Sequence, residues 1–352
     1  LGTMRPEVSE VWTTDVTRSD HATHMLLSRL GPKDLAKLLE DAFRSRHMAE
    51  ELSHRIAVKS DGNPFFAFEI IQGLREGRFI EQREDGSWTP TRTIRDIHVP
   101  SSVRDLVLTR VADLNEPEKN LLDVASCCGF EFDPLLVAVV LGMPEIRAMQ
   151  RLAMVERRHR LVRSAGRCFV FDHHQLQEAL YEGLPDLLRE RYHAGIAQVL
   201  ERRERAGERE PTELEGNLAV DLCEHFLKGG QGESALRYLD SALSHLQSGY
   251  LNDQAVALAD RALAVDGLLV GEHRARILLR KNDRLHLMGH RDEQEALLSE
   301  VRRLADAEGD RGLLRRVEFA SGRLQVARGD YQESALCFER AQRLARELGD
   351  RE

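Results

Sequence analysis

Apolar positions along this chain recur mostly at intervals of three and four residues, the spacing of a helix face. Leu35, Leu38, Leu39 and Ala42 fall on one such face. Gly31-Pro32 precedes it, with proline suited to a first helical turn. A second helix is expected over residues 49–59, carrying Leu52, Ile56 and Ala57. It ends at Ser60-Asp61-Gly62-Asn63-Pro64, a cluster of breakers in which Gly62 can take positive φ. Phe65, Phe66, Phe68, Ile70 and Ile71 then begin a strongly apolar helix. Strand-like runs are short and few. Residues 1–4 read as the end of a buried strand and residues 23–30 as a short Leu-rich one, while Phe79-Ile80 and Ser87-Trp88 bracket Asp85-Gly86 as a hairpin.

The middle of the chain is punctuated by helix starts. Ser101 or Ser102 can cap a helix carrying Val103, Leu106, Val107 and Val111. Asn115 caps a second through Glu116-Pro117-Glu118, with Leu121, Leu122, Val124 and Ala125 as its buried side. Asp133-Pro134 opens a third helix over 135–141, and Met143-Pro144-Glu145 a fourth with Ile146, Met149 and Leu152. Residues 161–163 and 167–171 flank Ser164-Ala165-Gly166 as a two-stranded wing, so that helices followed by a hairpin describe a winged helix. At the end of the wing the period changes. Phe169 and Phe171 alternate, whereas Leu176, Ala179 and Leu180 have helical spacing, which puts His173 and His174 at a helix N-terminus, where backbone N–H groups favour anions.

Beyond that joint the pattern is helical throughout. A helix over 175–204 is interrupted at Pro185, and a charged stretch over 201–215 with Gly207 and Pro211 reads as a linker. Gln254 to Ala262, Glu295 to Val301 and Glu333 to Ala341 then superimpose at spacings of 39 to 40, with Val256, Ala296 and Ala335 taken as equivalents and Gly289 and Gly329 in the preceding turns. That period belongs to helical solenoids, in which small residues let paired helices approach and leucines fill the core between repeats. Such arrays bind other protein segments.

Composition narrows the function classes. Aromatics are scarce and the net charge is −9, which weighs against wholesale nucleic-acid binding. Five scattered cysteines suit a reducing cytoplasm rather than a disulfide scaffold. No apolar run approaches the ~20 residues that cross a bilayer, so no membrane partner is expected. No nucleophile–base pair, carboxylate pair or metal constellation stands out, and no enzymatic activity is expected of this chain. Against the overall charge, Arg147, Arg151, Arg157, Arg158, Arg160, Arg163 and Arg167 lie close together, opposed only by Glu156. Arg157, Arg158 and Arg160 are the candidate nucleic-acid contacts; pairing with acids elsewhere is the alternative.

The order Leu1-Gly2-Thr3-Met4-Arg5-Pro6-Glu7, a Leu-rich strand and helix, then Gly62-Asn63-Pro64-Phe65-Phe66 resembles the second half of the NTPase module of bacterial STAND-type signalling ATPases, relatives of the AAA-type ATPases. In that family the module precedes a winged helix and tetratricopeptide-like repeats, often beside a kinase, an adenylate cyclase or a DNA-binding domain. The resemblance implies that Arg5 is a nucleotide sensor, that Gly62, Asn63 and Pro64 form the turn against the base, and that His173 faces the phosphates. An ordinary solvated loop residue is the alternative for Arg5, and an exposed or capping residue for His173. The family commonly has Asp after that histidine, where this chain has His174.

No Gly-x-x-x-x-Gly-Lys-[Ser/Thr] occurs, so ATP or ADP with Mg²⁺ is expected only in a longer parent, of which this chain would be an excised part. The expected fold is mainly α. Its parts are a truncated α/β NTPase remnant with lid helices (1–98), a winged-helix-like domain (99–173), a helical linker (174–231) and a C-terminal α-solenoid (232–352). The expected role is a regulatory scaffold that relays nucleotide state to a protein partner on the repeats. The alternative is a winged-helix transcription regulator with a repeat sensor; DNA is the less favoured partner.

Overall fold

The structure, a computed structural model, describes residues 29–60, 62–76, 79–83, 85–91, 111 and 113–349. It is mainly α-helical, as the periodicity predicts, with short strands only. The strand expected at 1–4, Arg5, most of the strand expected over 23–30 and most of the helix expected over 103–111 lie outside the described residues; Arg29 and Leu30, which are described, are not in a strand. The chain divides into two compact units, one ending at Asp113 and one beginning at Leu114.

In the first unit, α1 (Pro32–Phe43), α2 (Arg46–Ser60) and α3 (Pro64–Glu76) enclose a core of Leu35, Leu39, Phe43, Leu52, Ile56 and Ile70. The observed α2 begins three residues before the expected helix, because Ser45 Oγ accepts a hydrogen bond from Met48 N at 3.4 Å and caps it. β1 (Ile80–Gln82) and β2 (Trp88–Pro90) form the expected antiparallel hairpin, with Asp85 Oδ1 accepting from Ser87 N in its turn. Arg75 lies 4.4 Å over the Trp88 ring and donates to Ala42 O, tying the hairpin to α1.

The second unit opens on a capping box: Asn115 Oδ1 accepts from Glu118 N while Glu118 Oε2 accepts from Asn115 N. Helix α4 (Glu116–Cys128) leads into β3 (Glu131–Phe132), α5 (Pro134–Val140), α6 (Glu145–His159), β4 (Val162–Ala165) and β5 (Cys168–Phe171). The strands pair antiparallel in the order β3-β5-β4, so the wing is one edge of a three-stranded sheet rather than the isolated pair expected. Phe132, Phe169 and Phe171 meet on its inner side, with ring centroids 5.3 to 6.2 Å apart around Phe132. The order along this part is helix, strand, helix, helix, strand, strand.

Helices then follow without further strands: α7 (His174–Gly183), α8 (Asp186–Arg203), two 3₁₀ turns, α9 (Gly216–Lys228), α10 (Gly232–Ser248), α11 (Asn252–Leu263), α12 (Gly271–Met288), α13 (Arg291–Glu308), α14 (Arg311–Arg328) and α15 (Tyr331–Leu348). Pro185 separates α7 from α8 as expected. The starts of α11, α13 and α15 are 39 and 40 residues apart, which confirms the repeat. The register of the small positions differs from that expected. Val256 is half-buried and Ala296 and Ala335 are exposed; the positions facing the partner helix are Ala255, Gln294 and Ser334, followed by Ala262, Val301 and Ala341. Gln294 is buried because its Nε2 donates to Asn282 Oδ1 at 3.1 Å, and Ser334 Oγ donates to Gly322 O at 3.1 Å in the next repeat. These polar contacts hold the two helices of each repeat in one register.

The close approach of α8 and α9 is set by a glycine. A Cβ added to Gly229, after α9, would lie 2.6 Å from Ala194 N and 2.7 Å from Ala194 Cα in α8, where only backbone stands in the way. Gly229→Ala therefore costs about 1–3 kcal/mol of stability through forced separation of α8 and α9. Urea unfolding measures this, and an unchanged midpoint would contradict the packing.

A buried polar chain crosses the same helices. Tyr181 Oη and His193 Nε2 share a hydrogen bond of 3.0 Å, and His193 Nδ1 and His225 Nδ1 share one of 2.9 Å. Burial, then the neighbouring His225 and the cations Lys228, Arg189 and Arg261, push His193 down to about 3. Burial and then Lys228, opposed by Glu224, push His225 down to about 4. Both histidines fold neutral, and the unfolded chain protonates first as pH falls below the ordinary value of about 6.5. Their contribution is present above that pH and is lost as pH falls towards 4 and 3. Asp123 acts in the opposite sense. Burial pushes its carboxyl up to about 6, so its share is present at low pH and lost as pH rises through 6. Asp123→Asn is expected to steepen the loss of stability between pH 6.5 and 4, and His225→Phe to flatten it. Chemical unfolding at stepped pH checks both slopes.

Candidate interaction surfaces

The residues singled out in the sequence are distributed over both units. In the first, Gly62 takes φ +70°, and a Cβ there would lie 2.5 Å from Leu30 O. Leu30 N donates to Gly62 O at 2.8 Å, and Asn63 N donates to Ser60 O. Pro64 is the first residue of α3. The turn therefore requires glycine for its own geometry, since any side chain would strain the backbone and strike Leu30. Arg5, the partner the resemblance implies for this turn, lies outside the described residues.

In the second unit, His173 is the N-cap residue of α7 and makes no side-chain cap bond. Its Nε2 is 3.2 Å from Asp172 Oδ2, so a carboxylate already sits at this helix start. His174 stacks on Phe130 at 3.8 Å between ring centroids. Arg157 and Arg158 occupy the last turn of α6 and Arg160 is its C-cap, in the left-handed region at φ 51°. Arg157 Nε donates to Ala153 O. Arg157, Arg158, Arg160, Arg163 and Arg167 are all exposed. Among the described residues there is no group of three or more His, Cys, Asp or Glu placed to hold a metal ion. No helix among them is long and apolar enough to cross a membrane.

The repeats carry surfaces that sequence reasoning passed over. On the face shared by α10, α12 and α14, Arg280 reaches Asp240 Oδ1 at 3.1 Å, Ser244 Oγ at 3.0 Å and Gln247 Oε1 at 2.8 Å. Arg276 also meets Asp240, and Arg323 meets Asp283 at 3.3 Å. Each pair joins an acid on one helix to an arginine on the next helix of that face, so the face is laced along its length. Burial draws the Arg280 guanidinium below its usual value, with Asp240 opposing. Behind it, the buried carboxylate of Glu318 is bracketed by Arg302 at 2.7 Å and Arg340 at 2.9 Å, which links α13, α14 and α15. Arg340 also holds Glu333 and is pushed above its ordinary value, first by that bond.

The lacing gives way to an open groove at α12, α14 and α15. This groove has a volume of about 690 Å³. Leu279, Phe319, Ala320, Phe338, Ala341 and Ala345 line its apolar part; Arg315, Arg316 and Arg323 are the cationic part, with Asp283 and Asn282 nearby. Phe319 is 54% exposed although it belongs to a long helix packed on two neighbours, and its ring lies 5.6 Å from that of Phe338. Gly322 makes room for Phe338, since a Cβ there would come within 2.6 Å of the ring. A second cavity of about 400 Å³ lies among α13, α14 and α15; of its charged lining, Arg340 pairs with Glu333 and Arg302 with the neighbouring Glu318.

No family model and no curated protein matches the chain. Among solved structures, it is similar to the crystal structure of a signal transduction ATPase with numerous domains (STAND) protein carrying a tetratricopeptide repeat sensor, from Pyrococcus horikoshii. Identity is 13%, 93% of this chain and 49% of that chain are covered, and the TM-score is 0.36. This is a distant structural relation, and the chain spans about half the length of that protein.

Proposed function

We propose that this chain is a regulatory scaffold of a multidomain signalling protein, and that its helical repeats hold a segment of another protein. The observation that supports the reading is the groove among α12, α14 and α15. Its apolar floor, an exposed aromatic ring and a cationic rim are the composition of a peptide-docking site, where aromatic and arginine anchors carry most of the affinity. Three arginines against one acid, itself engaged with Arg323, select an acidic segment with an aliphatic or aromatic anchor.

In this reading the winged helix stands in the chain between a nucleotide-handling part and the repeats, and passes on the nucleotide state. Arg5, the Gly62-Asn63-Pro64 turn and His173 belong to that nucleotide contact, with ATP or ADP and Mg²⁺ bound by the longer parent. No catalytic role is assigned to this chain. What the described residues add is that the Gly62 turn and the Asp172–His173 pair are each satisfied within their own surroundings.

Selection of peptides from a random display library against the chain tests the docking reading. Enriched sequences are expected to combine acidic residues with one large apolar anchor. Phe319→Ser is expected to weaken the selected peptides by about 2 kcal/mol, near thirtyfold, measured by titration calorimetry. Arg316→Glu is expected to weaken the acidic ones most. Peptides that bind equally well to the Phe319→Ser chain would refute the groove as the docking site.

A further inference from the structure

The arginines of the wing differ from those of the repeats in one respect. In the repeats Arg274, Arg280, Arg302 and Arg340 each meet a carboxylate. On α6 and the β4–β5 hairpin, Arg147, Arg157, Arg158, Arg160, Arg163 and Arg167 are exposed, and none has an ion-pair partner among the described residues. The one acid within that stretch, Glu156, accepts from Ser164 N at 2.9 Å and forms no ion pair with these arginines. Pairing with acids elsewhere, the alternative that the sequence left open, is therefore not found among the described residues.

Their placement follows two elements. Arg157 and Arg158 end α6, Arg160 caps it, Arg163 lies on β4 and Arg167 in the turn between β4 and β5. A helix end and a hairpin arm of one small domain thus carry the same kind of group. No lysine occurs between 147 and 167, so every cation here is a planar fork able to meet two oxygens of one phosphate. Exposed residues from 157 to 167 include no large apolar side chain; Ile146 and Met149, which are exposed, belong to the first half of α6. A protein interface needs an apolar anchor at its centre, whereas a phosphate backbone needs none.

We propose that the end of α6 and the β4–β5 hairpin form a surface that binds the phosphate backbone of double-stranded DNA, without sequence preference. The surface is a local reversal of a chain whose net charge is −9, so the remainder of the protein opposes rather than supplies such binding.

The test is the anisotropy of a labelled duplex of about 20 base pairs titrated with the full chain from about 20 to 200 mM salt. Affinity is expected to fall steeply with salt. The doubles Arg157→Gln/Arg158→Gln and Arg163→Gln/Arg167→Gln are each expected to reduce the slope of log affinity against log salt by about 1.8, the loss of two phosphate contacts. Arg160→Gly is the fold control: it places glycine at a left-handed helix cap, so its thermal midpoint is expected to hold or rise while DNA affinity drops. No binding at the lowest salt would overturn the proposal, as would a slope unchanged in both doubles. Polyglutamate competing as well as unlabelled duplex would also overturn it and assign the surface to an acidic protein instead.

Discussion

The second unit depends on each helix burying one stripe of side chains against the next, because no helix of this length and composition is stable alone in water. From α9 to α12 the stripe forms one continuous cluster, with Phe226 and Tyr238 stacked at 6.0 Å and Ala219, Ala242, Ala255 and Ala259 admitting close neighbours. From α12 to α14 a second cluster of Leu278, Leu285, Leu298, Val301, Val317 and Leu324 continues it. Apolar burial is non-directional and does not by itself choose one register. Register comes from the polar contacts inside it: Gln294 on Asn282, Ser334 on Gly322, Tyr238 on Glu201, and the two arginines on Glu318.

The same constraint accounts for where the groove lies. At α14 and α15, Phe319 on one helix and Phe338 on the other meet with their rings tilted by 55°, Phe319 is left exposed, and Leu336 and Leu348 of α15 are 49% and 46% exposed, with nothing among the described residues covering them. Arg315, Arg316 and Arg323 stand beside this apolar surface, which exceeds what a helix face normally leaves to water. Shape and charge arise together, from an apolar surface on α14 and α15 that no described residue covers and one cationic rim.

Much of this was legible in the sequence where the signal is local. Asn115 with Glu118, Asp133 before proline, Gly62 in its breaker cluster and Pro185 between two helices all do what their chemistry dictates within a few residues. The period of 39 to 40 was legible too, because it repeats. What failed was non-local. Strand β3 has two residues and exists only because β5, almost forty positions later, pairs with it. Gln294 reads as a surface residue until Asn282 is seen to satisfy it, which is why Ala296 was taken for the buried position. The His193–His225 bond joins positions 32 apart on different helices, and Phe319 reads as core in any pattern-based scheme. For the nucleotide contact, Arg5 and the strand before it lie outside the described residues, so the sequence argument there stands by itself.

The central claim is that this stack is a chain of neighbour-dependent interfaces, with an apolar surface of α14 and α15 that no described residue covers. Native-state hydrogen exchange on the intact chain measures that directly, because each amide reports the free energy of the opening that exposes it. The account predicts the slowest amides in α9, α10 and α12, with exchange quickening through α14 and fastest in α15. Protection in α15 equal to that in α10 would contradict it, and would mean that the groove is part of a closed core rather than a surface waiting for a partner.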